Sequence, residues 1–404
     1  MPLGYVTPAV FACVFLFGHP AGQRNSPVAV PVRIASGLVY MQGRINSSGP
    51  LRVVLDTGSS VSVVSPSVAL TAGLTSNRTA EAAGMGSGAN ETLHLFDDGD
   101  LEWGSGPDML RLPHQRGAIL PIDYISEQVG EPTDAIFGSN LFLHYTVRVD
   151  YERQRVTFFP ADSDAQPSGV PIAIQILGDV PFAQATVRGE DGQEISGLFF
   201  LDSGTTGAML LNKKFLNAHP GLIAKGHFAE TPSATAVGGK IDVSRVKVPQ
   251  VRIGSFVFSG VAAGVPERSA GALANESLAG VIGAGILSRF TVTWDYARKH
   301  MFLVPGNTIN DPFETDCSGV HLIAHGGDYK TITMDVVLPG SPAAMAGLRP
   351  GDQIVAIDGV HELPLWKISE ALRKDGTSIS LTIRRESKVF KVEVVLRSPF
   401  QWLK

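Results

Sequence analysis

The chain has 404 residues, of which 44% are hydrophobic and 18% charged, a composition that builds two or three domains with separate cores and excludes a disordered chain. Its formal net charge of −5, without a long basic run, gives no electrostatic footprint for nucleic acid or for an anionic membrane surface.

Residues 1–23 hold an apolar run from Ala9 to Phe17 followed by small, turn-prone residues around Ala21. Such a segment is similar to a secretory signal peptide, which predicts an extracytoplasmic protein, periplasmic or secreted. Neither this run nor any later segment is long enough for a stable membrane span. Of the two cysteines, Cys13 falls inside the signal. Cys317 is then alone, and no internal disulfide is expected.

The stretch VVLDTGSSVSVVS, Val53 to Ser65, ends an apolar run in Asp-Thr-Gly, which by itself is ordinary turn chemistry. The same pattern returns as FFLDSGTTGAMLLN, Phe199 to Asn212, with Asp202 standing 202 − 56 = 146 residues after Asp56. A second pair of segments repeats at nearly the same offset. Gly138, Thr146-Val147 and Asp150-Tyr151 match Gly283, Thr291-Val292 and Asp295-Tyr296, each 145 residues on. Two tandem copies of one unit follow, occupying residues 24–163 and 164–309. Within each copy, short alternating runs such as GLVYMQGRI and PFAQATVRG, bounded by Gly, Pro, Asp and Asn, predict strands. His144 and His300 fall in strand-like runs, and Trp294 reads as a core residue. Each copy also carries a glycine-rich hairpin tip, with Gly84, Gly86 and Gly88 in the first and Gly238 and Gly239 in the second.

After a Pro/Gly/Asn/Asp-rich linker, PGNTINDPFETD, the pattern changes. A short helix at Pro342 to Gly347, a helix around Leu365, Ile368 and Leu372, and a terminal hairpin of alternating residues mark a separate α+β module over residues 315–400.

Equivalent loops from two copies face each other across a pseudo-twofold axis, which would bring Asp56 and Asp202 together. Two carboxyls in hydrogen-bond range hold one proton between them, so the pair supplies a general base and a general acid to one water. Gly58 and Gly204 let the loops approach. Thr57 and Ser203 can bond across the axis, and Ser59 and Thr205 can donate to the outer carboxylate oxygens. The ten histidines show no metal-ligand spacing such as His-Glu-x-x-His, and no Gly-Asn-Ser-Gly-Gly element marks a nucleophilic serine. No metal or organic cofactor is implied.

These duplicated residues, with IFG at Ile136–Gly138 and VIG at Val281–Gly283, resemble the pepsin and retropepsin clan of aspartic proteases over residues 30 to 305. The resemblance implies a mainly β fold of two pseudo-twofold-related β-barrel lobes and an aspartic endopeptidase with Asp56 and Asp202 catalytic. It also implies that the glycine-rich tips are flaps over a polypeptide substrate. Neither tip holds a tyrosine matching the flap tyrosine of pepsin; the tips are closer to retroviral-type flaps. VVLPGSPAAMAGLRPGDQIVAIDG, Val336 to Gly359, resembles a PDZ domain of bacterial protease-associated kind. That likeness implies a peptide ligand added at a sheet edge, with Gly319, Val320, His321 and Leu322 of SGVHL as the binding candidates. The rival reading is an inactive scaffold of the same fold that binds exported polypeptides. Since one chain carries both aspartates, a monomer suffices.

Overall fold

The computed structural model describes residues 26–82, 91–161, 163, 167–223, 229–230, 234–236, 239–267, 273, 275 and 277–402. The expected signal segment, and Gly84, Gly86, Gly88 and Gly238 among the flap candidates, lie outside the described residues.

The alternation that predicted strands works by burying one face of each. Val28–Pro31 buries its valines and exposes Ala29 and Pro31, and Ile172 and Ile174 are buried between exposed neighbours in Val170–Leu177. In the first lobe six strands close into a barrel in the order Leu38–Ile45, Leu51–Leu55, Ala135–Phe137, Ser62–Val64, Leu110–Ile119, Glu91–Trp103 and back to Leu38–Ile45. The second lobe closes in the same cyclic order with Val180–Arg188, Glu194–Asp202, Leu278–Gly283, Met209–Leu211, Phe256–Pro266 and Val243–Ile253. The repeat in sequence is thus a repeat of topology, down to which pairs run parallel: Leu51–Leu55 with Ala135–Phe137, and Glu194–Asp202 with Leu278–Gly283. The protein is mainly β, two barrel lobes followed by a PDZ module.

The two lobes share an antiparallel sheet in which Tyr145–Asp150 pairs with Phe290–Asp295. Val147 pairs with Trp294 and Val149 with Val292, while Arg148 faces Thr293. Because the repeat maps 147 to 292 and 149 to 294, this register is the exchange that a twofold through the 148–293 pair requires. Each of these strands ends alike. Asp150 accepts from the Arg153 amide at 2.9 Å and Asp295 from the Arg298 amide at 3.0 Å, and each carboxylate pairs with the arginine side chain three residues on. Trp294 is buried, with Phe142 lying edge-on to it and stacked on Tyr296.

Short helices fill the corners: α1 (Pro66–Thr71), α2 (Asp123–Val129) and α3 (Ser139–His144) in the first lobe, and α4 (Lys213–Ala218) and α5 (Ala284–Leu287) in the second. His144 is a correction to the strand expectation. It ends α3, with Nδ1 2.8 Å from the Asn140 carbonyl oxygen, because the chain coils for six residues before the strand begins at Tyr145. His300 does open a strand.

The linker is pinned to the second lobe by Arg289, whose guanidinium donates to the carbonyls of Thr308, Ile309, Asp311 and Pro312 and stacks on Phe313 at 3.7 Å. Beyond it lie α6 (Pro342–Met345), capped by Ser341, α7 (Leu365–Ala371) and α8 (Pro399–Trp402). The main sheet of this module is ordered Val320–His325, Thr331–Val337, Gln353–Ile357, Ser378–Arg385, Lys388–Val395. Leu365, Ile368 and Leu372 of the α7 region are buried in the module's own core with Ile354, Leu381 and Ile383, as their helical spacing predicts.

Candidate active site

Asp56 follows the strand Leu51–Leu55, and Asp202 ends the strand Glu194–Asp202. Beneath each loop passes a strand that leads into a glycine, Gly138 just after Ala135–Phe137 and Gly283 at the end of Leu278–Gly283. The Asp56 amide donates to the Phe137 carbonyl at 3.0 Å, and Asp202 stands in parallel register with Gly283. A Cβ on Gly138 would strike the Ser59 and Val61 carbonyl oxygens, and one on Gly283 the Thr205 and Gly207 oxygens. Only glycine therefore lets the lower strand come this close to the loop.

The loops interlock through buried hydroxyls. The Thr57 amide donates to Ser203 Oγ at 3.0 Å, the Ser203 amide to Thr57 Oγ1 at 3.0 Å, and Thr57 Oγ1 to the Leu201 carbonyl at 2.9 Å. Ser203 Oγ reaches back to the Leu55 carbonyl at 3.4 Å. Thr57 and Ser203 are buried, so each bond holds without competition from water. A Cβ on Gly58 would collide with the Asp202 carboxyl and one on Gly204 with the Asp56 carboxyl. This close approach brings the two carboxyls together across the pseudo-twofold axis.

The Gly58 amide donates to Asp56 Oδ1 at 2.7 Å and the Gly204 amide to Asp202 Oδ1 at 2.8 Å. Thr205 Oγ1 donates to Asp202 Oδ2 at 2.7 Å. Ser59 differs from the expected role. Its hydroxyl turns away to the Val61 carbonyl at 2.6 Å, because its loop passes directly into Val61 and Ser62, and it steadies the loop rather than the carboxylate. Burial first, then the Asp202 charge, pushes the Asp56 carboxyl well above the usual carboxylate range; the Gly58 and Gly204 amides pull against that rise.

Tyr124, near the start of α2, is a residue that the sequence pattern did not single out. Burial and then the charges of Asp56 and Asp202 push its phenol up. The same helix reaches the PDZ module through Gly130 and Glu131 at its other end, described below. Nothing in PIDYISEQVG gives a signal for this position.

Of the remaining candidates, Gly239 opens the short strand Gly239–Ile241, paired with Ala234–Ala236. In the PDZ module Val320, His321 and Leu322 lie on the edge strand Val320–His325, whose strand partner among the described residues is Thr331–Val337. The Gly319 amide is already engaged, donating to Asp316 Oδ2 at 2.6 Å, and Ser318 Oγ donates to Asp316 Oδ1 at 2.6 Å. An internal carboxylate thus occupies two donors at the head of the edge strand, one of them the amide of the candidate Gly319. Asp98, Asp100 and His114 converge on an exposed hairpin, where Asp100 pairs with Arg111 and accepts from the His114 amide; they read as surface ion pairs.

Residues 41–141 match the aspartyl protease family and residues 334–385 the PDZ domain. The chain is 38% identical over 58 residues to serine protease HTRA1 of Xenopus tropicalis, a match covering 14% of this chain and 13% of that protein. It is 35% identical over 83 residues to the chloroplastic C-terminal processing peptidase of Tetradesmus obliquus, covering 20% and 15%. Both matches thus span a small part of those relatives. Among solved structures, 71% of the chain aligns with the whole of the aspartic proteinase from Irpex lacteus at 14% identity and a TM-score of 0.44. A photosystem II D1 C-terminal processing protease aligns over 19% of this chain and 22% of its own, at 26% identity and a TM-score of 0.18.

Proposed function

We propose that this chain, in which an aspartyl protease unit is joined to a PDZ domain, is an aspartic endopeptidase acting on polypeptides outside the cytoplasm, with the PDZ module recruiting peptide. The observation that carries the reading is the pair of loops locked by the buried Thr57 and Ser203, which sets the loop glycine of each copy against the other copy's carboxyl.

With one proton between them, the ionised member removes a proton from a water held across the pair. The protonated member donates to the carbonyl oxygen of the peptide bond as that water's oxygen attacks the carbonyl carbon. The product is a neutral tetrahedral diol, and the dyad again holds one proton. Transfer of a proton to the amide nitrogen then breaks the C–N bond, the other carboxyl takes the diol proton, and a carboxylic acid and an amine leave. No covalent intermediate with the protein forms. Gly58 and Gly204 keep the carboxyls close, and the Thr205 hydroxyl orients Asp202.

Cleavage of a diverse peptide library by purified protein, from mildly acidic to neutral pH, tests this directly. Either Asp56→Asn or Asp202→Asn should lower kcat/KM by roughly 10²- to 10⁴-fold, and a statine-type transition-state analogue should inhibit the unmodified protein. Unchanged cleavage in Asp56→Asn would refute the shared-water mechanism. Absence of cleavage by the unmodified chain would favour the inactive scaffold.

A further inference from the structure

On the peptide-binding reading of this module a peptide would add along the edge strand Val320–His325, and α7, which packs beside that strand, would form the groove's other wall. Both walls touch the protease unit. Helix α2 lies alongside Val320–His325 and also meets α7. Where α2 ends, Gly130 takes a left-handed φ of 72°, and its Cα sits so close to α7 that a Cβ there would lie 2.6 Å from Leu365 Cβ. The next residue fastens the contact. Glu131 accepts from Trp366 Nε1 at 2.9 Å and pairs with Arg33 at 2.5 Å, while the Arg33 guanidinium lies over the Trp366 ring at 5.9 Å. Trp366 packs on the first-lobe cluster of Ala35, Leu38, Tyr40, Val54 and Val129 rather than in the core of its own module.

We infer that α2 and Glu131 are an internal occupant of the PDZ peptide groove, which a peptide ligand must displace to enter. The inference rests on the peptide-binding reading of the module. One observation carries it and a second sets the route by which a peptide would enter. The α2 segment covers both walls of the groove, and Asp316 holds the Gly319 amide and the Ser318 hydroxyl at the head of the edge strand. The second leaves strand addition along Val320–His325, rather than capture of a terminal carboxylate, as the route of entry. That edge is the one α2 lies beside. An occluded groove lowers apparent affinity by the fraction of molecules in which it is open, so loosening α2 raises affinity, and Glu131→Ala does so without changing a residue of either wall.

The test uses the full chain and a fluorescein-labelled pool of random heptapeptides, in free-acid and amidated forms. Trp366→Ala removes the Glu131 bond and the Arg33 stacking and leaves Leu365, Ile368 and Leu372 in the module's core. The variant should bind both forms of the pool at least about tenfold more tightly than the unmodified chain. Glu131→Ala should act in the same direction and serves if Trp366→Ala does not fold. In the unmodified chain, saturating pool should speed hydrogen exchange of the amides of residues 123–130. Equal affinity of variant and unmodified chain overturns the internal occupant while leaving peptide binding intact. If neither chain binds the pool, the peptide-binding reading falls and the internal occupant with it, whatever the cleavage assays give.

Discussion

At Asp56, burial and the neighbouring Asp202 charge outweigh the two amides that favour the ionised form, and the carboxyl holds its proton to higher pH than it would in the unfolded chain. Between the unfolded value, about 3.9 for an aspartate, and the raised folded one, the native state binds more protons than the unfolded state. Stability contributed by this group is therefore full below the unfolded value and declines as pH rises through the folded one. Asp56→Asn removes that decline. In urea denaturation followed from pH 3 to pH 7, the variant should be more stable than the unmodified protein at neutral pH, and the two should converge toward pH 3. A variant less stable at pH 7 would mean that ionised Asp56 is a net stabilising partner in the fold.

At the scale of the element, the working unit is a strand, a loop and the strand beneath it that leads into a glycine, present twice. Its cross-axis hydrogen bonds make the two copies one site. Thr57→Val keeps the shape but leaves the Ser203 amide and the Leu201 carbonyl without their buried partner, a loss of about 1–3 kcal/mol for each group left unsatisfied. Thermal unfolding should register the loss, and Thr57→Ser should recover most of it; a neutral Thr57→Val would mean that water replaces the lock. Much of this unit was legible in the sequence, because a 146-residue repeat of Asp-hydroxyl-Gly specifies two loops of equal geometry. The difference between Ser59 and Thr205 was not, since it depends on the path each loop takes after its glycine. His144 was misread because a six-residue helix carries too few turns for helical periodicity to appear beside strand alternation. Tyr124 was hidden for a third reason: its burial depends on how α2 packs, which no local pattern encodes.

For the whole molecule, α2 joins the first lobe to the PDZ module. A helix rises 1.5 Å per residue, so Tyr124 and Glu131 are separated by about 10 Å, with the dyad's field at one end and Trp366 at the other. The 235-residue separation of Glu131 and Trp366 is also why this link could not be read from either segment alone. If a peptide in the PDZ groove displaces the end of α2 and the displacement carries Tyr124 with it, the two sites become thermodynamically linked. Linkage is reciprocal: the factor by which peptide changes the affinity of a statine-type inhibitor equals the factor by which inhibitor changes the affinity of peptide. Titration calorimetry in both orders should give one common factor, about fivefold or more for a coupling of at least 1 kcal/mol, and Trp366→Ala should reduce it toward one. Two ligands that bind with affinities indifferent to each other would mean that α2 moves at its PDZ end without carrying Tyr124, and that the two surfaces work as independent parts of one chain.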